Sequence, residues 1–395
     1  MAHIKILTKD ILSVLKHKGY KFTTNMLNDR VEANGKPLTD AEMAIIRNIC
    51  RDQGFGNMKQ VEDAVLADAK EHEYHPVKDY FHGLMGWDGT PYISRLAGYI
   101  DDEDGIFQLL LEKFLIGSVA KIFTSGLHQN PMLVLDGVQD LGKSYLARWF
   151  LPPPMVRDYY AESEINPNLK DHRFRLAAVW LWEVQELGAT TRKADREALK
   201  SFLTMTQIVD RRHYGRFPAV YPAMASFIGT INNEGGFLND PTGHRRFRPC
   251  RLISINWDYA KDIYQDDIWA EAFSRYLMGE TSDLTMQQKV LLLPVQTRYE
   301  VIDPMVEMLR YYFELSPGAT DNWMGTQEIL EHLEVQANLK SGRESKVNAT
   351  SLSSAATKIG LIKKKQKSEN RWGYCGMKPA FPKSTGTMPM PGIIP

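Results

Sequence analysis

The stretch LVLDGVQDLGKSYL, residues 133–146, decides how the rest of the chain is read. It opens with an apolar run suited to a buried strand, turns through Gly137, Val138, Gln139, Asp140, Leu141 and Gly142, and continues into KSYLARWF, which suits a helix starting at Lys143. Strand, glycine-bounded loop and helix in that order form a cradle for phosphate. The two glycines let main-chain N–H groups converge on phosphate oxygens, and the helix start adds partial positive charge. In this reading Lys143 reaches the β- and γ-phosphates of ATP and Ser144 holds Mg²⁺. Asp140 places a negative charge at a variable loop position. Its carboxylate is expected to face solvent while its N–H stays available.

Working outward, the 395-residue chain carries 48 Lys plus Arg against 48 Asp plus Glu, a formal net charge of zero. Global charge therefore gives no argument for nucleic acid, and any such argument must come from local clusters. Cys50, Cys250 and Cys375 are far apart, with no pair spaced for zinc, which fits a reducing compartment. No stretch reads as a signal peptide or a membrane span, so the expected location is the cytoplasm.

Four regions follow from periodicity. Residues 1–105 read as a mostly helical N-terminal region, with LTDAEMAIIRNICRDQGF capped by Thr39 or Asp40 and stopped by Gly54, and a second helical segment broken at Pro76. Residues 106–297 read as an α/β domain. There, PMLVLDG, RLAAVWLWEV, ASFIGTIN and RPCRLISIN have the length and Val/Ile/Leu/Phe content of strands buried on both faces of a largely parallel sheet. Residues 298–382 read as two helices followed by an aromatic hairpin at RWGYCGMK, and 383–395 as a disordered Pro/Gly tail.

A phosphate cradle needs partners. LAAVWLWEVQEL supplies an apolar strand over 176–182 ending in Glu183, with Glu186 three residues on. A carboxylate at the tip of the strand next to the loop strand can hold Mg²⁺ through water or polarise the attacking water. The alternative is that the glutamates begin a solvated helix. SFIGTINNEGG supplies an apolar strand ending in Thr230, followed by Asn232 and Asn233, and an amide here can orient the lytic water or sense the γ-phosphate; an Asn-rich turn is the alternative. DPTGHRRFRP adds Arg245, Arg246 and Arg248. An arginine that reaches a γ-phosphate across a subunit boundary is an arginine finger; the alternatives are a solvated basic turn or DNA phosphate contacts.

With these motifs in order, the chain resembles the virulence-associated protein E family, P-loop ATPases of phages and mobile elements related to superfamily 3 helicases and AAA+ proteins. The resemblance runs from about residue 70 to 255 and rests on YHPVKDYFHGLMGWDGTP, LVLDGVQDLGKSYL, WLWEVQEL, DRRHYGRF, FIGTINN and LNDPTGHRRFRP. It implies an AAA+-like core, Lys143 and Ser144 as Walker A residues, Glu183 as the Walker B acid, Asn232 as sensor, Arg245 or Arg246 as finger, assembly into a homo-oligomeric ring such as a hexamer, and DNA, single-stranded or forked, as track. The chain departs from the family where Asp140 replaces the usual middle glycine and where Ala223 follows Pro222. Residues 1–100 show no paired-aspartate primase motif, so priming is expected from a separate primase.

Two basic clusters are candidate DNA contacts. Arg211, Arg212, His213, Tyr214 and Arg216 form a basic-aromatic loop between the Glu183 and Asn232 strands, where related helicases line a ring pore. Lys363, Lys364, Lys365 and Lys367 surround the C-terminal helices and hairpin, as in a winged helix with phosphate contacts. A solvated basic face is the alternative for both. The function expected is an ATP-dependent DNA helicase or translocase in phage or mobile-element replication. The alternatives are a DNA loader or origin-remodelling ATPase without processive unwinding, and a DNA-binding module that nucleotide merely stabilises.

Overall fold

A computed structural model of the chain describes residues 8–185, 187, 193–211, 218–232, 238, 245–300, 303–337, 347–366 and 370–380, with backbone alone over 193–197 and at 337. The chain divides into two compact units, Met1–Glu300 and Val301–Pro395.

The fold is mixed α/β. The first unit is organised by a six-stranded sheet whose order is Ile100–Asp102, Phe247–Ile255, Met132–Asp136, Ser226–Ile231, Leu181–Val184, Tyr160–Glu162. Every neighbouring pair is parallel except the first, where Ile100–Asp102 runs antiparallel to Phe247–Ile255. Each residue of Met132–Asp136, Leu181–Val184 and Ser226–Ile231 is buried, as parallel strands covered on both faces require. The helix Phe107–Phe123 is apolar on most of its circumference and almost wholly buried in the same core, which is why its sequence shows little amphipathic contrast.

The structure departs from the sequence-based expectation at two places in this sheet. RLAAVWLWEV is not one strand: Lys170–Ala178 is a helix, and only Leu181–Val184 is extended, so Glu183 lies within the strand rather than after it. That strand is also not next to the loop strand, because Ser226–Ile231 lies between them. An apolar run does not declare its period when it is buried on all sides, and strand order is set by crossovers that local sequence does not encode.

The N-terminal helices Thr8–His17, Asp40–Asp52 and Met58–Glu71 are accompanied by a four-stranded sheet that the helical reading missed: Lys36–Pro37, Arg30–Ala33, Phe22–Asn25 and Glu73–Tyr74. Its strands are only two to four residues long, too short for alternation to register. One signal was present. Asn34-Gly35 forms a two-residue hairpin turn between Ala33 and Lys36, both with positive φ, 53° and 74°. Thr39 caps Asp40–Asp52 as its position suggested, accepting from the Glu42 N–H.

The second unit has its own core, formed by residues such as Leu309, Ile329, Leu333, Leu352 and Tyr374. Its helices are Pro304–Tyr312, Thr326–Ala337 and Ala349–Ile359. Its hairpin is Ile362–Gln366 against Arg371–Cys375, with Met324–Gly325 on the other side of the second strand. RWGYCGMK thus supplies one hairpin strand, and the run containing Lys363, Lys364 and Lys365 supplies the other. Met377–Pro379 pairs instead with Phe313–Leu315.

Candidate nucleotide site

The loop strand ends at buried Asp136, whose carboxylate accepts from the Gly137 N–H at 2.8 Å and from the buried Tyr299 hydroxyl at 2.9 Å. Burial, and then the Asp136 charge, push the Tyr299 phenol above its ordinary pKa, so it stays a donor. The turn that follows is left-handed at two of its corners: Asp140 has φ 62° and Gly142 φ 98°. Asp is among the few L-residues that occupy this region readily, which accounts for an aspartate at a position where glycine was expected. At Gly142 a side chain is excluded, since a Cβ there would stand 2.0 Å from the Trp257 ring.

Lys143 begins the helix Lys143–Trp149 and is 6% exposed. Its ammonium donates to the carbonyls of Gly137 and Val138, each at 2.8 Å, and to Asn232 Oδ1 at 3.0 Å. Burial lowers its pKa, and the Asp136 and Asp140 charges oppose that shift. Asp140 therefore helps to keep the lysine charged. Asn232, 89 residues further along the chain, is brought to the lysine by strand pairing that sets Ile231 opposite Asp136.

Glu183 is fully buried. Both carboxylate oxygens are engaged, Oε2 by the Tyr160 hydroxyl and Oε1 by the Thr230 hydroxyl at 3.2 Å. Tyr160 starts the strand on one side and Thr230 sits near the end of the strand on the other, so the neighbours in the sheet hold the acid from both flanks. Burial and the Glu183 charge raise the Tyr160 pKa, which keeps that hydroxyl protonated.

The structure brings Lys143, Asn232 and the loop 137–142 together, with Glu183 two residues below Thr230 in register. It sets the arginines apart. Met132 N–H donates to the Arg246 carbonyl at 2.9 Å, so Arg245 and Arg246 lie where the loop strand begins, while the glycine-bounded loop follows where it ends. Five residues of strand span about 16 Å. Arg245 is exposed and Arg246 half-buried. Arg248 is internal, donating to the Ser282 carbonyl at 2.8 Å, with its pKa lowered to about 10 by burial. Arg211 directly follows Gln207–Asp210, which pairs with Ala219–Pro222 as a hairpin. Lys363, Lys364 and Lys365 are exposed on the hairpin of the second unit. Glu186, Arg212, His213, Tyr214, Arg216, Asn233, Lys367 and the tail from 383 lie outside the described residues.

Sequence reasoning missed Tyr160, Thr230, Tyr299 and Trp257. None belongs to the motif it serves, and only the folded sheet makes them neighbours. Trp257 packs on Gly142 and meets Tyr145 edge-on at 5.1 Å, leaving two partly exposed rings beside the loop. Among the described residues, no group of three or more His, Cys, Asp or Glu could hold a metal by itself, and no helix is long and apolar enough to cross a membrane.

The profile of the virulence-associated protein E-like domain matches residues 82–301, which contain the whole cluster. An A-form apo structure of the NrS-1 C-terminal region superposes with a TM-score of 0.52 at 12% identity, over 93% of this chain and 98% of that one. A second apo structure of that region gives 0.51 at 12% identity, with the same coverage. At this identity the likeness establishes a related fold. No curated protein sequence matches the chain.

Proposed function

The chain belongs to the virulence-associated protein E-like domain family, and on that premise we propose that it is a P-loop ATPase that remodels or loads onto DNA in the replication of a phage or mobile element. The observation that carries the reading is the hydrogen bond between Lys143 and Asn232 at the mouth of the glycine-bounded loop, within a sheet that also holds a buried, doubly bonded glutamate. A lysine serving the core alone would have no reason to meet a polar residue at a strand end beside a left-handed loop.

Lys143 now donates to two neutral carbonyls and an amide. Phosphate oxygens offer it stronger, charge-assisted bonds, so nucleotide binding draws the ammonium away from the loop and releases Asn232. Asn232 then reports the terminal phosphate to its strand. Glu183, fixed by Tyr160 and Thr230, orients and polarises water. The residues would suit a magnesium ion carried by the nucleotide: the Ser144 hydroxyl would be a hard oxygen donor and Glu183 would act through water, since magnesium characteristically takes few protein ligands. When bound, Mg²⁺ neutralises charge on the phosphates.

The arginines stand too far from their own loop to touch the same nucleotide, which supports Arg245, the more exposed of the two, as a finger acting on a neighbour in a homo-oligomeric ring. The hairpin Gln207–Asp210 with Ala219–Pro222 exposes Val209 and Val220 and leads into Arg211. It favours a second reading, in which the ATPase translocates on and unwinds DNA. The C-terminal unit, with three helices and a basic hairpin, suits a winged-helix-like DNA contact. The test is the rate of phosphate release with and without single-stranded DNA. Wild type should hydrolyse ATP with DNA stimulation, and Lys143→Ala should lose binding and turnover while keeping its fold. Wild-type hydrolysis in Lys143→Ala removes the site assignment, and strand displacement separates the two readings.

A further inference from the structure

The C-terminal hairpin carries a side chain that phosphate contacts do not account for. Trp372 is 53% exposed, on a strand position where a threonine would satisfy the backbone equally well. In register it faces Lys365, with Lys363 diagonal to it on the same face of the hairpin. The two ammonium groups stand 5.9 and 5.6 Å from the centre of its ring, at the outer limit of a cation–π contact. They are held near the neutral indole loosely enough to turn to an anion. Tyr374, two residues along, is buried, so this face runs from the core outward to an open aromatic ring.

The opposite face of the hairpin is braced. Trp323 donates its indole N–H to the Lys364 carbonyl at 3.1 Å and lies so close over Gly373 that a Cβ there would stand 2.6 Å from its ring. The Trp372 carbonyl accepts from the Thr326 hydroxyl at 3.0 Å, which fixes the backbone that presents the ring. Between hairpin and helices lies a cleft of about 640 Å³ bordered by Trp323, Trp372, Lys363 and Arg371. Among the described residues its one carboxylate, Glu328, is engaged by the Gly325 N–H. The cleft is the size of sites that take a small ligand.

We propose that Trp372 is a stacking platform for an unpaired base, with Lys363 and Lys365 on the flanking phosphates, so that this unit holds single-stranded DNA rather than duplex. A paired base offers its faces only to its neighbours in the stack, whereas an unpaired base can lie on an indole. A duplex wing needs the lysines and no exposed tryptophan. The inference rests on the reading of this unit as DNA-binding.

The experiment uses the full chain without nucleotide, a labelled thymidine oligonucleotide and a blunt duplex of equal length, read by anisotropy. Trp372→Ala should weaken binding to the single strand by about 5- to 100-fold, the worth of one stacked base, and leave the duplex within about twofold. Trp372→Phe should retain most of the affinity. Lys363→Gln with Lys365→Gln should flatten the single-strand salt slope by up to about 1.4, at ~0.7 per phosphate contact, whereas Trp372→Ala leaves that slope unchanged. Indole emission supplies an independent readout, since the quench seen with wild type at saturating oligonucleotide should shrink in Trp372→Phe whichever other surface also binds. Equal losses on both probes, or an unchanged quench with unchanged affinity, overturn the stacking role and leave a simple basic wing. Binding to neither probe by wild type removes the DNA-binding reading of the unit as well.

Discussion

Replacing Tyr160 by Phe removes one hydroxyl and leaves the ring that packs beside the sheet. The carboxylate of Glu183 is fully buried and has two donors, so the change leaves Oε2 without its partner. A hydrogen bond to a charged group contributes about 1.5–3 kcal/mol. Tyr160 is only partly buried, which lets water compensate and puts the expected loss near the lower figure, about 1.5 kcal/mol. Denaturant unfolding followed by tryptophan emission should register it, because Trp180, Trp182 and Trp269 lie in the same core. A double-mutant cycle with Glu183→Gln, which keeps the shape and removes the charge, should give a coupling of about 1 kcal/mol or more, as contacting residues do. Separately, if the loosened acid raises the barrier for water attack by about 1.4 kcal/mol, turnover falls about tenfold, with nucleotide affinity within about twofold. That split would identify Tyr160 as a positioning residue, one that sets the acid proposed to orient water and touches no phosphate. A coupling below about 0.3 kcal/mol together with wild-type turnover would refute the reasoning.

Gly142→Ala combines a left-handed backbone with a Cβ 2.0 Å from Trp257, and should cost at least about 2 kcal/mol in thermal unfolding; a neutral result would show that the ring moves freely off the loop. Glu183→Gln and Arg245→Ala proteins should each be nearly inactive and should regain part of the ATPase when mixed, because some interfaces then join an intact acid to an intact arginine; no recovery across mixing ratios, with assembly intact, discards the shared site. His75 is buried, its Nδ1 accepts from the Lys78 N–H, and burial followed by the Lys78 charge lowers its pKa to about 4. Protonation therefore opposes folding: stability is complete above about pH 6.5 and is lost as pH falls toward 4, with about 1.4 kcal/mol gone by pH 5.5. His75→Asn keeps a capping acceptor and should flatten that dependence in urea titrations at the two pH values; an equal slope would assign the acid sensitivity elsewhere.

The sequence by itself determined the strand, glycine-bounded loop and helix over 132–149, because their conformational demands are local. Gly137 to Ser144 are contiguous, and the conformations they need are written in their own side chains, down to Asp140 at a left-handed corner. The separate C-terminal unit was legible for the same reason, being a continuous run with its own pattern. Asn232 was found because it directly follows an apolar strand, yet its bond to Lys143 depends on those strands pairing in one register. Strand order belongs to the tertiary structure alone. It inserted Ser226–Ile231 between the loop strand and the Glu183 strand, gave Glu183 two hydroxyl partners from residues 23 and 47 positions away, and placed the arginines at the far end of the sheet. Sequence periodicity reports which face of an element is apolar, not which element will cover it. The acid's environment is made by coverage, by the burial that forces every polar atom to find a partner among whatever strands the fold sets beside it.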